Sequence, residues 1–154
     1  MNYTISSPSV FVDGNSITIT LTAMYGKETI GYINGKVNSM LNCVECDTAV
    51  KEEYRGNGIA GKLLKSLLNS IFIDNVLDEF CSTYGQGSER SKVVLNIDIE
   101  NYSSRRVAEK TGFSLVDSES RDSLEYEMTK DDYLKIYKES SADVKIKNQK
   151  EKEL

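Results

Sequence analysis

The chain has 154 residues, a net charge of −5, one proline and no histidine. That length makes a single domain able to bury a core, and the acidic balance argues against general nucleic-acid binding, which needs a basic field. Without histidine, Ser-His and Cys-His nucleophilic sites and histidine-ligated zinc are excluded, so any general base must be a carboxylate, a lysine, a tyrosine or a held water.

Residues 1–9 are polar and uncharged, with no basic stretch followed by an apolar one, so no export signal is read and a cytoplasmic protein is expected. No apolar run reaches the roughly 18–20 residues of a membrane span. Residues 10–12 predict a short strand, Asp13-Gly14-Asn15 a turn, and residues 16–25, with their ITITLT alternation, a strong strand. Gly26-Lys27 is a short turn into a strand at 29–39, which makes a hairpin. The next strand, 42–50, carries Cys43 and Cys46, whose spacing puts them on opposite faces and so reads as structural cysteine rather than a redox or metal pair.

The period then changes. Ile59, Leu63, Leu64, Leu67, Leu68, Ile71 and Phe72 share one helical face, which predicts a helix over 58–73. Residues 75–84 extend it or form a second helix, and Gly85-Gln86-Gly87-Ser88 reads as a loop. KVVLNIDI at 92–99 is a strand, 103–111 a short helix stopped by Gly112, and 113–116 with 123–128 a closing hairpin. A final helix is expected at 131–139, and 140–154 as a flexible, lysine-rich tail, so the domain is 1–139. Strands first, then alternating helices and strands, imply a mixed α/β (α+β) sheet with helices packed on it.

The stretch AVKEEYRGNGIAGKLL (49–64) carries the chemistry. An apolar strand end leads through a polar turn into Arg55, Gly56, Asn57, Gly58, Ile59, Ala60 and Gly61, and then into an amphipathic helix. Glycines let backbone approach an anion, the N–H groups of a first helical turn are free to bind it, and the helix dipole adds positive charge. Arg55 and Lys62 add cations near the same spot. The alternative is a tight turn that merely starts a helix. The letters G-x-G-x-x-G occur at Gly56, Gly58 and Gly61, but no acidic residue ends a strand about 20 residues later, as a dinucleotide fold requires.

This segment resembles the acyl-CoA-binding motif of the GNAT superfamily, through Arg55-x-x-Gly58-x-Ala60. A second stretch, LNIDIENYSSRRVAEKTGF (95–113), resembles that family's later strand, turn and helix, with Asn101-x-x-Ser104 and Glu109-Lys110-x-Gly112-Phe113. The N-x-x-S…EKxGF form is similar to the branch that acetylates ribosomal-protein N-termini and related amines. The resemblance covers 42–128.

It implies the GNAT fold: a mixed, mostly antiparallel sheet with flanking helices, in which the strands ending near Val50 and Ile99 splay to hold acetyl-CoA. The pyrophosphate would lie on 55–60. Thr48, Ala49, Val50 and Lys51 would pair with the pantetheine amides and offer an N–H to the thioester carbonyl, and Asn101 would touch the pantetheine arm. The implied reaction is direct acetyl transfer to a primary amine, on a protein N-terminus or a small molecule, without a metal. A longer acyl-CoA donor, or a catalytically silent CoA-binding module, is the alternative.

Many members use a tyrosine acid where this chain has Ala108. Ser104 is the substitute that the N-x-x-S branch suggests, although it also fits a helix-start or small packing residue; Tyr102 is adjacent. Glu45 is the candidate base, one of several acidic residues that also suit a solvated strand face. The family's two helices between its first strands find no counterpart before residue 16, so the acceptor site is open or completed by 74–91 or by a second subunit in a homodimer.

Overall fold

A computed structural model describes residues 1–38, 41, 43–83, 92–116 and 122–152. The strands are β1 (Thr4–Ile5), β2 (Ser9–Asp13), β3 (Ser16–Tyr25), β4 (Glu28–Asn38), β5 (Cys43–Val50), β6 (Lys92–Asp98), β7 (Ser114–Val116) and β8 (Ser123–Thr129). The helices are α1 (Ile59–Leu68), α2 (Asp78–Thr83), α3 (Tyr102–Thr111) and α4 (Lys130–Lys152). One sheet has the order β1-β3-β4-β5-β6-β8-β7, with β2 also on β3. Its pairs are antiparallel apart from β5–β6, which α1 connects as a crossover.

The period-two pattern does what it predicts. Ile17, Ile19, Leu21 and Ala23 of β3 are buried, while Thr18, Thr20 and Thr22 point to the other face. Gly26, at φ +61°, makes the turn into β4. The register carries the apolar face across the sheet through Ile33, Val37, Val44, Val93, Leu95, Tyr126 and Met128. Onto that face α1 lays Ile59, Leu63, Leu64, Leu67 and Leu68. Two glycines of β4 set the closeness of this packing. A Cβ on Gly35 would stand 2.8 Å from Val44 Cγ1 and 3.0 Å from Ile19 Cγ2. Gly35→Ala is therefore expected to destabilise by about 1–3 kcal/mol and to lower Tm by about 3–10 °C, read by differential scanning calorimetry.

Three elements differ from the sequence expectation. The helix expected over 58–73 is α-helical only to Leu68 and then widens into a π turn over Asn69–Ile73, closed by Asp74 N–H to Asn69 C=O at 2.9 Å. The buried Ser70 hydroxyl donates to Ser66 C=O at 2.9 Å, a local bond that bends a helix. The N-terminal segment adds β1, two residues that are too short to show a period. Helix α4 continues past residue 139 to Lys152. Its first turn is anchored by Thr129 Oγ1, which accepts from Asp132 N–H at 3.1 Å, and by Tyr133 against Phe72 at 5.8 Å. Once such a nucleus exists, the lysine-rich sequence beyond it can propagate a helix, lysine being a good helix former. The Gly85-to-Ser88 loop, Ser39, Asn42 and Tyr84 lie outside the described residues.

Among the described residues, no helix is long and apolar enough to cross a membrane. Cys43 faces the Glu45 side of β5, and Cys46 packs against the core on the other. Burial raises both thiols above their ordinary value, the direction opposite to that of a reactive thiolate.

Candidate active site

The site begins where two strands part. β5 and β6 pair in parallel from Cys43↔Lys92 to Cys46↔Leu95, and no further. Beyond that point β5 stays with β4, to Gly31↔Val50, and β6 stays with β8, to Asp98↔Ser123. Residues 47–50 and 96–98 therefore bound a V, open towards the C-terminal ends of both strands. Lys51 N–H donates to Ile30 C=O of β4 at 2.8 Å. Antiparallel alternation then turns the backbone groups of Val50 and Thr48 the other way, into the V. A parting parallel pair thus leaves strand-edge donors and acceptors ready for an extended ligand.

At the mouth of the V lies the glycine-rich loop. After β5 the chain makes a 3₁₀ turn at Glu52–Tyr54 and passes Gly56, at φ +84°, to Gly58, at φ +75°. Gly58 is the N-cap of α1; no side chain caps that end and no acidic residue occupies its first turn. The first intrahelical bond is Lys62 N–H to Gly58 C=O at 3.1 Å, so the N–H groups of Ile59, Ala60 and Gly61 are left for another acceptor. A Cβ on Gly58 would meet nothing within 4 Å, so the space above the loop is open. The positive end of a helix dipole, free N–H groups and open space are the features by which helix N-termini bind anions.

Side chains fix the loop. Asn57 Nδ2 donates to Tyr54 C=O at 2.9 Å, and Arg55 Nε donates to Val50 C=O at 3.1 Å. Lys51 Nζ and the Tyr54 hydroxyl both donate to Glu28, at 2.9 Å each. The hydrogen bond from Lys51, with that from Tyr54, holds the Glu28 carboxyl below its usual range, and the same bonds raise Lys51 and Tyr54. Lys62 Nζ lies 5.1 Å from the Tyr3 ring centre, a cation–π contact.

The second wall of the V leads to α3. Asn101 is its N-cap, and its Oδ1 accepts from Ser104 N–H at 3.3 Å, so Asn101-x-x-Ser104 is a capping pattern whatever else it does. Ser104 is half-buried, and Ala108 is fully buried. Tyr102 is 67% exposed, with the Arg105 guanidinium 5.4 Å from its ring. Arg105 also donates to Ile99 C=O at 2.8 Å and to the buried Tyr126 hydroxyl at 3.4 Å, tying α3 to the end of β6. Helix α3 lies beside α1, with Val107 Cγ1 3.9 Å from where a Cβ on Gly61 would stand.

Glu45 stands one residue before the last paired position, at the closed end of the V. It lies on the sheet face opposite Val44 and α1, and accepts from Asn38 Nδ2 at 3.3 Å. The loop residues, Thr48, Val50 and the start of α3 are thus gathered around the V, with Ser104 and Glu45 on opposite faces of the sheet. Sequence reasoning missed Glu28 and Arg105. Glu28 carries no motif and meets the loop only through the β4–β5 register; Arg105 sits inside the motif, but its bond to Ile99 depends on where β6 ends.

In comparisons with known proteins, the family model described as an acetyltransferase (GNAT) domain matches residues 12–114. The sequence matches none of the curated proteins. Solved structures share the fold. The GNAT domain of S. lividans PAT aligns at 14% identity and TM-score 0.55, over 73% of this chain and 60% of that chain. A spermidine N-acetyltransferase chimera of Vibrio cholerae SpeG and hSSAT aligns at 20% and 0.58, over 79% and 71%. RimL, a ribosomal L7/L12 alpha-N-protein acetyltransferase in complex with coenzyme A, aligns at 16% and 0.55, over 75% and 63%. The chain thus spans about three fifths of the first of these.

Proposed function

The chain belongs to the GNAT acetyltransferase family, and from that premise we propose that it transfers an acetyl group from acetyl-CoA to a primary amine within a ternary complex. The observation that carries this reading is the parting of β5 and β6 after Cys46↔Leu95, with an uncapped helix N-terminus at the mouth of the gap. The residues fit the cosubstrate: Thr48 and the N–H of Val50, whose C=O already accepts from Arg55, offer strand-edge backbone groups to an amide-bearing arm, and Gly56 to Gly61 offer N–H groups to a diphosphate. Acetyl-CoA supplies a thioester whose carbonyl carbon forms a C–N bond as its C–S bond breaks.

The protein's part is to place and protonate. Holding both reactants in line supplies much of the rate. A backbone N–H on the V-facing edge of β5 stabilises the developing oxyanion. Glu45, at the closed end of the V, takes the amine proton, and Ser104 gives one to the departing sulfur. The acceptor is an amine on a small molecule or a protein N-terminus, the two kinds that the spermidine and ribosomal-protein enzymes above are named for. Residues 1–139 form the transferase domain, working in the cytoplasm, where acetyl-CoA is made and used. One feature favours a second reading, a silent CoA-binding module: Ala108 stands where many family members carry the tyrosine acid.

A thermal-shift titration with acetyl-CoA, free CoA and a longer acyl-CoA tests the cofactor. At about 100 times Kd a ligand stabilises by about 2.7 kcal/mol, a rise of about 5–10 °C in a domain of this size. Acetyl-CoA is expected to give that rise. A flat response to all three would remove the CoA reading, and a rise without turnover on an amine panel would leave the silent module.

A further inference from the structure

The loop at the mouth of the V is held by a residue from a different hairpin. Glu28 sits at the start of β4, 23 residues before Lys51 and 26 before Tyr54. Its two carboxylate oxygens serve different partners: Oε1 accepts from Lys51 Nζ and Oε2 from the Tyr54 hydroxyl, at 2.9 Å each. Lys51 precedes the Glu52–Tyr54 turn and Tyr54 ends it, so one carboxylate spans the turn from end to end. The grip is transmitted forward. Tyr54 N–H donates to Lys51 C=O at 2.9 Å, Tyr54 C=O accepts from Asn57 Nδ2 at 2.9 Å, and Asn57 precedes Gly58, the N-cap of α1. Tyr25, on the other side of the β3–β4 turn, packs its ring 5.9 Å from that of Tyr54.

The Lys51 and Glu28 side chains are 50% and 46% exposed, so their pairing adds little to global stability. What it does fix is the path of residues 51–58. We propose that Glu28 is a positioning residue for acyl-CoA: its carboxylate pre-orders the loop so that the N–H groups opening α1 are aimed at a diphosphate before one arrives. This inference rests on the acyl-CoA reading of the loop.

The test measures acetyl-CoA affinity by calorimetry, amide hydrogen exchange of the ligand-free protein, and Tm, for wild type, Glu28→Gln and Glu28→Ala. Glu28→Ala is expected to weaken acetyl-CoA by about two- to fivefold, the range that a lost exposed charge network allows. Exchange should quicken over 51–58 while β3 and β6 keep their protection and Tm stays put. Glu28→Gln, which retains an acceptor for one partner, should fall between. In a Tyr54→Phe background the loss should be less than additive, because both changes disable one device. Unchanged affinity in Glu28→Ala, or faster exchange across the whole sheet, would overturn the proposal while leaving the CoA reading intact. If the wild type itself fails to bind acetyl-CoA, both readings fall together.

Discussion

Gly58→Val should abolish measurable acetyl-CoA binding while the protein stays folded. Gly58 holds φ +75° at the N-cap of α1. A non-glycine residue in that conformation costs about 1–2 kcal/mol, and a β-branched one more. The strain would be relieved by moving the loop, which turns the N–H groups of Ile59, Ala60 and Gly61 off their common target. If the loop did not move, the valine methyls would fill the open space above it, where a Cβ now meets nothing within 4 Å. Either response weakens diphosphate binding, by about 100-fold or more once strain and occlusion combine. Gly58→Ala separates the two, since it brings the strain with little occlusion, and should lose roughly tenfold. Isothermal titration of both variants is the measurement. A Gly58→Val protein that binds acetyl-CoA within threefold of wild type would show that the loop is only a turn.

The second large effect belongs to Ser104. Ser104→Ala should lower kcat by about 100-fold, the usual scale for a lost general acid, and leave acetyl-CoA affinity unchanged. The structure makes this substitution clean. The N-cap of α3 runs from Ser104 N–H to Asn101 Oδ1, so alanine keeps it. Asn101→Ala, by contrast, removes the cap and should cost about 1 kcal/mol of stability. Tyr102→Phe is the control: the ring stays over Arg105 and only the hydroxyl is lost. If Tyr102→Phe slows turnover and Ser104→Ala does not, the acid is Tyr102. If neither does, the leaving thiolate takes its proton from solvent.

The parts of this molecule that could be read from sequence are those whose cause is local. ITITLT puts alternate residues on alternate faces, and β3 spans 16–25 as its pattern predicts. The change of period at Ile59 marks α1, and the glycine-rich turn read before it is where Gly56 and Gly58 take positive φ. The splay also followed, but only through the family resemblance, because no local pattern states where two strands stop pairing. What stayed illegible depends on register and on distant partners. Glu28 reaches Lys51 because β4 and β5 are antiparallel with Gly31 opposite Val50, a pairing that no window of the sequence contains. The π turn after Leu68 accompanies a buried Ser70 hydroxyl bonded back to Ser66 C=O, and α4 begins at a turn anchored by Thr129, neither of which a hydrophobic period signals. The cation–π contact of Lys62 with Tyr3 is equally invisible to any local window, since 59 residues separate them.

The N-terminal strands have a bearing on self-association. Ten-residue β3 would leave a long run of unpaired N–H and C=O groups along one side of the sheet. Instead β2 takes up its first half and β1 two positions near its end, with Ser6 N–H also bonded to Thr22 C=O at 2.8 Å. The rim that faces outward is thereby cut into lengths of five and two residues, separated by a stretch containing Pro8, which has no N–H to offer. Short, interrupted rims are poor templates for adding a strand from another molecule. The protein thus guards itself against growing into a continuous cross-chain sheet on this side, because the backbone of β3 already has partners along both of its edges.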